Sequence, residues 1–360
     1  MIGAGSFGTA VAILLERAGL RTTLLCRRRE QAEVLARDRV NERYLPGVEL
    51  TERLKVRALG ERDDQFHRVD VVCLAVPSGG LGEAVAELQR QGVAKGAAIL
   101  SLAKGLFPPD GLPPTVALTA AFGADRVACV GGPSHAREMV ESGAGLVCAS
   151  RYEEVAHRMA EVFQRAGVVC EVSSDPVGVE LAGCAKNAAA LAAGATESQG
   201  LNAAGMAAAD IFTEVLALAE VYGGRATTFV GRAGTGDLVA TALAPSSRNR
   251  SAGELLAEGV PAAEIPERLG QAAEALETVP LLARAAERAG LPAPILSSLA
   301  RLIDGTLPLE QWVALVRARQ PEPDPFRGRA RGWLQRLRDR FRNGSRRRAL
   351  EPGAHAGRPH

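Results

Sequence analysis

Residues 1–19 read MIGAGSFGTAVAILLERAG, and this stretch decides the fold. Its glycines Gly3, Gly5 and Gly8 have the G-x-G-x-x-G spacing of a turn that holds the pyrophosphate of a dinucleotide. In such a turn the first glycine permits a tight bend, the second lets the pyrophosphate approach, and the third lets helix and sheet pack closely. The apolar-faced helix that follows would offer free N–H groups to the phosphates. A purely structural glycine-rich turn is the alternative.

The turn lacks most of the strand that normally precedes it. Only Met1 and Ile2 stand before Gly3, and roughly four more residues would complete a strand of ordinary length. We expect that this first strand is truncated and that the natural start of the chain lies upstream.

Short apolar runs alternate with helical patterns through the first half of the chain. They occupy residues 22–26, 69–77, 97–105, 126–132, 145–150 and 168–174. Runs that are apolar on both faces, separated by segments of helix length, predict a parallel sheet covered on both sides. We therefore predict an α/β fold with a doubly wound, Rossmann-like domain over residues 1–174, which binds ligands at the carboxyl ends of its strands.

The pattern changes at Asp175. Asp175 and Pro176 form a helix-start signal, an N-cap followed by proline at the first helical position, and almost no strand pattern follows as far as Arg319. We predict an all-α domain over residues 175–319 and a disordered basic tail over residues 320–360. From residue 321 onward this tail holds 11 Arg and 4 acidic residues. We expect a solvated extension rather than a surface for nucleic acid or membrane.

The composition is that of an ordinary globular protein. Of the 360 residues 47% are hydrophobic and 23% are charged, which is typical of soluble domains. The six cysteines show no C-x-x-C spacing and the five histidines no metal-binding spacing, so we predict buried free thiols and no metal site. Because no signal peptide and no apolar stretch of about 18 residues is present, we expect a cytoplasmic protein without stable membrane insertion.

The second predicted strand ends in CRRRE, which bears on the choice of cofactor. An acidic residue at this place would accept from the ribose 2′-hydroxyl of NAD, whereas arginine accommodates the 2′-phosphate of NADP. Arg27, Arg28 and Arg29 stand here, so we predict that NADP(H) is preferred and that NAD(H) can also bind. Solvated surface arginines are the alternative.

Only four of the 43 basic residues are lysines. Lysine can release its proton when partly desolvated, whereas arginine cannot. Lys104 follows a predicted strand, and Lys186 lies among small residues on the first helix of the second domain. We predict that both line a cleft between the domains and that one serves as acid and base for a carbonyl–alcohol interconversion. Lys55 and Lys95 fit ordinary surface positions.

Three further polar clusters accompany these lysines. GGPSHARE at 131–138 follows a strand and carries Ser134, and GRAGTGDL at 231–238 carries Asp237. Ser247, Arg248 and Asn249 form a compact set of donors suited to phosphate oxygens. Singly each could be an ordinary loop or cap, but together with a dinucleotide turn they predict a small phosphorylated substrate.

With these motifs in this order, the sequence resembles the bacterial NAD(P)-dependent glycerol-3-phosphate dehydrogenases. The resemblance covers residue 1 to about residue 318. It is carried by GAGSFGTA, NERYLPGVEL, LAKGL, GGPSHARE, GVELAGCAKNAAALAAG, TFVGRAGTGDLVAT and SSRNRSAG. It implies interconversion of dihydroxyacetone phosphate and glycerol 3-phosphate by hydride transfer, feeding glycerophospholipid synthesis.

The resemblance also implies roles for individual residues. Lys186 would exchange the proton of the C2 oxygen, Lys104 would contact substrate and cofactor, and Asp237 would hold the region around Lys186. The implied cofactor contacts are Gly3, Gly5, Ser6, Phe7, Gly8, Arg27, Lys104, Ala136, Arg248, Ala272 and Glu274. The implied substrate contacts are Lys104, Gly132, Ser134, Lys186, Asp237, Ser247, Arg248 and Asn249.

Two other functions remain open at this point. A 3-hydroxyacid or polyol-phosphate dehydrogenase of similar build would keep a helix-borne lysine, and a hydroxyacid enzyme would not need the phosphate donors at 247–249. A non-catalytic NADP-binding regulator would need neither Lys104, Lys186 nor Asp237. A homodimer is compatible with the sequence, which does not determine the assembly state.

Overall fold

The computed structural model describes residues 1–61, 64–244 and 247–318, so the predicted tail at 320–360 lies outside the described residues. Residues Met1–Arg317 form one compact unit. Within it an α/β part precedes an all-α part, which confirms the predicted fold class. The division between residues 174 and 175 stays a prediction.

Nine strands are found in the described part of the chain. They are β1 Thr23–Cys26, β2 Val40–Asn41, β3 Leu45–Glu49, β4 Lys55–Ala58, β5 Val71–Leu74, β6 Ala98–Ser101, β7 Val127–Gly131, β8 Gly145–Ala149 and β9 Val169–Ser173. Each of the six predicted apolar runs contains one of them. The hairpin of β2 and β3 and the strand β4 were not predicted, because their residues are mostly polar or exposed.

One α-helix precedes these strands and five more lie between them. They are α1 Ser6–Arg17, α2 Arg29–Asp38, α3 Leu81–Gln91, α4 Pro114–Phe122, α5 Ala136–Glu141 and α6 Glu153–Arg165. Strands β5 to β9 form one sheet in sequence order, and β1 pairs in parallel with β4. Ile2 forms parallel bridges to both Leu25 and Leu74, so the residues before the glycine turn join the two groups of strands.

The prediction of an entirely parallel sheet was wrong for one pair. Strands β7 and β8 are antiparallel, with Cys129 opposite Ala149. The reason lies in the connection between them, whose helix α5 has six residues. Such a helix spans about 9 Å, whereas a five-residue strand spans about 17 Å. The connection therefore reverses the chain instead of returning it to the start of the neighbouring strand.

The second part of the chain contains the remaining helices. They are α7 Pro176–Thr196, α8 Leu201–Val221, α9 Ala226–Val230, α10 Asp237–Leu243, α11 Arg248–Ala257, α12 Ile265–Arg268, α13 Ala275–Arg288, α14 Pro294–Ile303 and α15 Leu309–Ala318. No helix of the described residues combines the length and the apolar character that crossing a bilayer requires.

Helix α7 begins at the predicted signal and runs through the middle of this part. The buried Asp175 carboxylate accepts from Gly178 N at 2.8 Å and from Arg225 N at 2.9 Å. Nearly every α7 residue is buried, as expected for a helix that is apolar around its whole circumference. The six cysteines are also buried and free, as predicted.

Helices α7 and α11 cross with their backbones in contact. A Cβ atom on Gly194 of α7 would overlap Arg250 O, and one on Gly253 of α11 would overlap Leu191 O. Glycine at both places therefore allows the close approach that holds the start of α11 beside α7.

We expect Gly253→Ala to destabilise the fold by about 1–3 kcal/mol, the usual cost of overpacking a close contact. Gly205→Ala is the matched control, since a Cβ there meets nothing within 4 Å. At this helical position alanine should stabilise the protein by about 0.5–1 kcal/mol. Thermal unfolding of both variants checks this, and equal melting temperatures would contradict the proposed close crossing.

Candidate active site

A cleft of about 830 Å³ lies where the strands of the sheet end and the helices α7 and α11 begin to cover them. Its wall includes the glycine turn, Lys104 after β6, Lys186 on α7, and the start of α11. This is the edge of the sheet at which a doubly wound fold binds its ligands.

The three glycines of the turn have the three roles that the motif requires. Gly3 has φ +106° and a Cβ there would overlap Ala75 O, so the tight bend needs glycine. A Cβ on Gly8 would overlap Gly3 O, so helix α1 packs directly on the turn. Gly5 faces open space, with no atom within 4 Å of a Cβ built there. An incoming group can therefore reach the backbone at Gly5.

Helix α1 presents its amino end at this open space. The N–H of Thr9 donates to Gly5 O at 3.0 Å, so the N–H groups of the residues before it have no helical acceptor. Ser6 and Phe7 line the cleft at this helix start. The site thus has the free donors and the positive dipole end that favour phosphate.

The three arginines after β1 separate into two groups. Arg27 and Arg28 are exposed and line the cleft. Arg29 is the first residue of α2, pairs with Glu33 at 3.1 Å and is absent from the cleft wall.

Lys104 is held by three acceptors at the back of the cleft. Its Nζ donates to Asp237 Oδ2 at 2.7 Å, to Gly132 O at 3.1 Å and to Ser134 Oγ at 3.2 Å. The same ammonium lies 5.8 Å from the centroid of the Phe7 ring, a distance at which cation–π attraction operates. Lys104 therefore stands between the glycine turn and Asp237.

Lys186 approaches the same carboxylate from α7. Its Nζ lies 3.5 Å from Asp237 Oδ1 and donates to Thr241 Oγ1 at 3.1 Å. Asp237 is fully buried and Lys186 is 8% exposed. One carboxylate thus bridges two ammonium groups that both line the cleft, so the structure brings together the two lysines singled out in the sequence.

This cluster changes the proton affinities of its members. Burial, partly offset by Asp237, lowers the pKa of Lys186 to about 8. Burial alone would raise the pKa of Asp237, but Lys104 and Lys186 outweigh it and lower that pKa. Near neutral pH Asp237 is therefore ionised, while Lys186 can both hold and release a proton.

A chain of amides connects this cluster to α11. Asn187 Nδ2 donates to Lys104 O and to Glu274 Oε2, both at 3.2 Å. Asn249 Nδ2 donates to Asn187 Oδ1 at 2.9 Å, and Asn249 Oδ1 accepts from Ala275 N at 3.0 Å. The backbone that carries Lys104 is therefore tied through α7 to the start of α11.

The other predicted substrate residues lie at the start of α11. Ser247 caps the helix, since its hydroxyl accepts from Arg250 N at 3.4 Å. Arg248 Nη1 donates to Gln271 Oε1 at 3.0 Å. Both side chains line the cleft together with Asn249.

Nearly all predicted site residues share this cleft. Those that line it are Gly3, Gly5, Ser6, Phe7, Gly8, Arg27, Lys104, Ser134, Ala136, Lys186, Ser247, Arg248, Asn249, Ala272 and Glu274. Gly132 and Asp237 do not line the cleft and instead lie behind it, where each accepts from Lys104.

Sequence reasoning missed three residues of the site. Thr241 was not singled out, although it lies one helical turn after Asp237 on α10. Asn187 directly follows Lys186 but received no role. His135 lines the cleft between Ser134 and Ala136, where burial and the Lys186 ammonium lower its pKa. Within the described residues no group of three metal-ligating side chains is found.

Comparison with known proteins covers both parts of the chain. A family model described as the N-terminus of NAD-dependent glycerol-3-phosphate dehydrogenase matches residues 1–156. The model of the C-terminus of the same enzyme matches residues 175–314.

Similar proteins carry the same name. The chain is 33% identical to a glycerol-3-phosphate dehydrogenase (NAD(P)+) from Polaromonas naphthalenivorans, over 90% of this chain and 98% of that protein. It is 34% identical to the protein of that name from Chlorobium limicola, over 91% of this chain and 99% of that protein. The crystal structure of a glycerol-3-phosphate dehydrogenase from Coxiella burnetii superposes with a TM-score of 0.81 at 29% identity, covering 88% of this chain and 98% of that one.

We expect Asp237→Asn to lower the pKa of Lys186 below about 8, because the Asp237 carboxylate favours its charged form. At pH 7.5 more of Lys186 would then be unprotonated and would react faster with acetic anhydride. Mass spectrometry gives this rate relative to Lys55 and Lys95, the exposed internal standards. Glu83→Gln, another acid on the cleft wall, should leave the ratio unchanged. An unchanged ratio in Asp237→Asn would contradict the bridging role of the carboxylate.

Proposed function

This chain belongs to the NAD-dependent glycerol-3-phosphate dehydrogenase family, and we propose that it interconverts dihydroxyacetone phosphate and sn-glycerol 3-phosphate as an NAD(P)-dependent oxidoreductase. The observation that carries the proposal is the pair of ammonium groups on one buried carboxylate, in a cleft that also contains a dinucleotide turn. In this role it would supply glycerol 3-phosphate for glycerophospholipid synthesis.

The residues of the turn fit a nicotinamide dinucleotide. Open space beside Gly5 and the free N–H groups at the start of α1 suit its pyrophosphate, with Ser6 and Phe7 at the same edge. Ala136, Ala272 and Glu274, which also line the cleft, would complete the cofactor contacts. When bound, the cofactor supplies or accepts the hydride.

Lys186 acts as the acid and base of the reaction. With a pKa near 8, its ammonium donates a proton to the C2 oxygen during reduction and takes it back during oxidation. Thr241 and Asp237 hold its Nζ, so that the transfer starts from a fixed position.

Lys104 and Asp237 provide the electrostatic part of catalysis. The Lys104 ammonium is held by three acceptors and stabilises negative charge that develops on the C2 oxygen. Fixed donors in a cleft that excludes water supply much of the rate enhancement in such reactions. Asp237 offsets the charge of both lysines and keeps their ammonium groups close together.

The start of α11 binds the phosphate of the substrate. Arg248 offers a fork of donors for phosphate oxygens, and the helix start adds backbone N–H groups. Ser247 and Asn249 flank Arg248 in the sequence. Gly132 and Ser134 accept hydrogen bonds from Lys104 and so hold its ammonium group in position. This set favours a phosphorylated substrate over a free hydroxyacid.

We propose NADP(H) as the preferred cofactor, with NAD(H) also used. Arg27 and Arg28 both line the cleft at the carboxyl end of β1, where a 2′-phosphate would lie. Six buried free thiols favour the reducing cytoplasm as compartment. A homodimer is part of the proposal; its interface would cover exposed apolar side chains such as Leu201 and Leu243, which are 80% and 77% exposed.

The experiment is an assay of NADPH oxidation with dihydroxyacetone phosphate, repeated with NADH. Dihydroxyacetone and a 3-oxoacid without phosphate serve as comparison substrates. We expect turnover with the phosphorylated ketone and little with the others. Turnover of the oxoacid instead would assign a hydroxyacid dehydrogenase, and NADPH binding without turnover of any substrate would assign a regulator.

Lys186→Ala should lower kcat by about 10²–10⁴-fold, the usual contribution of a general acid and base. Lys186→Arg keeps the charge but cannot release a proton, so its kcat should fall to a similar extent. Lys95→Ala, at an exposed position, should leave kcat within about twofold. Near-normal turnover of Lys186→Ala would remove this residue from the proposed role.

Arg27→Ala should raise the KM for NADPH by about tenfold and leave the KM for NADH nearly unchanged, because a charge-assisted bond to phosphate contributes about 1.5 kcal/mol. Arg29→Ala is the control, since Arg29 pairs with Glu33 away from the cleft. Steady-state kinetics with both cofactors measures the difference. Equal changes for NADPH and NADH would refute the proposed recognition of the 2′-phosphate.

A further inference from the structure

We propose that Glu180 is a positioning residue, which fixes the register of helix α7 against the turn carrying Lys104 and so sets the separation of the two ammonium groups. The inference rests on the proposed function for its consequence in catalysis. Glu180 is 3% exposed and lies on α7 six residues before Lys186. It does not line the cleft and takes no part in the chemistry described above.

The Glu180 carboxylate is surrounded by donors from the sheet part of the protein. Thr115 N donates to Oε1 at 3.0 Å and to Oε2 at 3.1 Å, and Thr115 Oγ1 donates to Oε2 at 2.6 Å. The Ser101 hydroxyl lies near enough to this carboxyl group to lower its pKa, against the larger effect of burial. Glu180 therefore holds the amino end of α4 and lies beside Ser101, the last residue of β6.

Ser101 lies between this carboxyl group and the turn that carries Lys104. Its Oγ accepts from Ala103 N at 3.4 Å, one residue before Lys104, and its side chain is fully buried. A shift of Glu180 along the α7 axis would thus be passed through Ser101 to the backbone at Lys104.

Two α7 residues on the same helix face as Glu180 contact this turn. A Cβ on Gly183 would lie 3.6 Å from Lys104 Cβ, and Asn187 Nδ2 donates to Lys104 O at 3.2 Å. Residues 180, 183 and 187 follow the spacing that places side chains on one helix face. Gly183 and Asn187 thus meet the turn directly, and Glu180, which continues the same face, is the only ionisable residue of the three.

A directional contact is needed here because the other side chains on this face of α7 are small. Between Glu180 and Asn187 this face of α7 offers Gly183 and Cys184, whose small side chains interlock little with a neighbour. A buried polar group that must keep its hydrogen bonds can specify one register where apolar packing does not. Burial raises the pKa of Glu180 to about 8, so this site costs stability, which a merely space-filling residue would not.

The consequence for catalysis follows from the geometry of the lysines. Lys104 Nζ and Lys186 Nζ reach opposite oxygens of Asp237, at 2.7 and 3.5 Å. A displacement of about 1 Å in such a cluster can cost up to 10²-fold in rate. The register of α7, which Glu180 fixes, thus controls whether both ammonium groups meet at one substrate oxygen.

The test compares Ser101→Ala with Thr115→Val. The first removes the connection from Glu180 to the Lys104 turn, and the second removes only the hydroxyl bond at the start of α4. We expect both to lower the melting temperature. Ser101→Ala should also lower kcat about tenfold with an unchanged KM for NADPH, whereas Thr115→Val should keep kcat within twofold. Glu180→Gln, which keeps an acceptor for Thr115 N, should retain more activity than Glu180→Ala.

A second readout requires no substrate. The groups that act on the Lys186 ammonium are Asp237, Lys104 and Glu274, so a displaced Lys104 changes its titration. Acetic anhydride labelling across pH should show a shifted Lys186 midpoint in Ser101→Ala and none in Thr115→Val. If both variants lose stability alone, with kcat and the labelling midpoint unchanged, the positioning role is wrong. If the wild-type protein turns over no triose phosphate, the proposed function fails, while the labelling comparison still decides the role of Glu180.

Discussion

The site depends on one buried carboxylate placed between two ammonium groups. Asp237 alone would be costly to bury, and so would either lysine, since an unpaired charge in the interior loses its hydration. In the cluster, one carboxylate oxygen of Asp237 pairs with Lys104 and the other pairs with Lys186. Two ammonium groups against one carboxylate leave a net positive charge that faces the cleft. That residual charge is what an electron-rich carbonyl oxygen or a developing alkoxide requires.

The three members of this cluster come from distant parts of the chain. Lys104 follows a strand of the sheet, Lys186 lies on α7, and Asp237 begins α10. Their convergence depends on α7, which is buried along nearly its whole length and contacts both parts of the protein. Small residues let neighbouring backbones approach, as at Gly194 and Gly253. Polar residues on the same helix then supply the directional contacts that small residues cannot.

The sequence determined much of the fold and the identity of the central residues. Apolar runs bounded by turns predicted six strands, because burial on both faces of a sheet leaves a pattern that a single sequence shows. The Asp175 signal predicted where α7 begins, because capping is local chemistry. The scarcity of lysine singled out Lys104 and Lys186, since lysine, unlike arginine, can release its proton when it is buried. The glycine turn predicted the dinucleotide site for the same local reason.

Tertiary structure alone decided how these parts meet. The antiparallel pairing of β7 and β8 depends on the reach of a short connection, and no residue within either strand encodes it. Thr241 and Asn187 acquired their places because α10 and α7 bring them to the lysines. Glu180 reads in the sequence as an ordinary helical acid, yet it is buried and hydrogen-bonded to the backbone and the hydroxyl of Thr115. Periodicity and local propensity describe single elements, whereas such contacts exist only once separate elements share one interior.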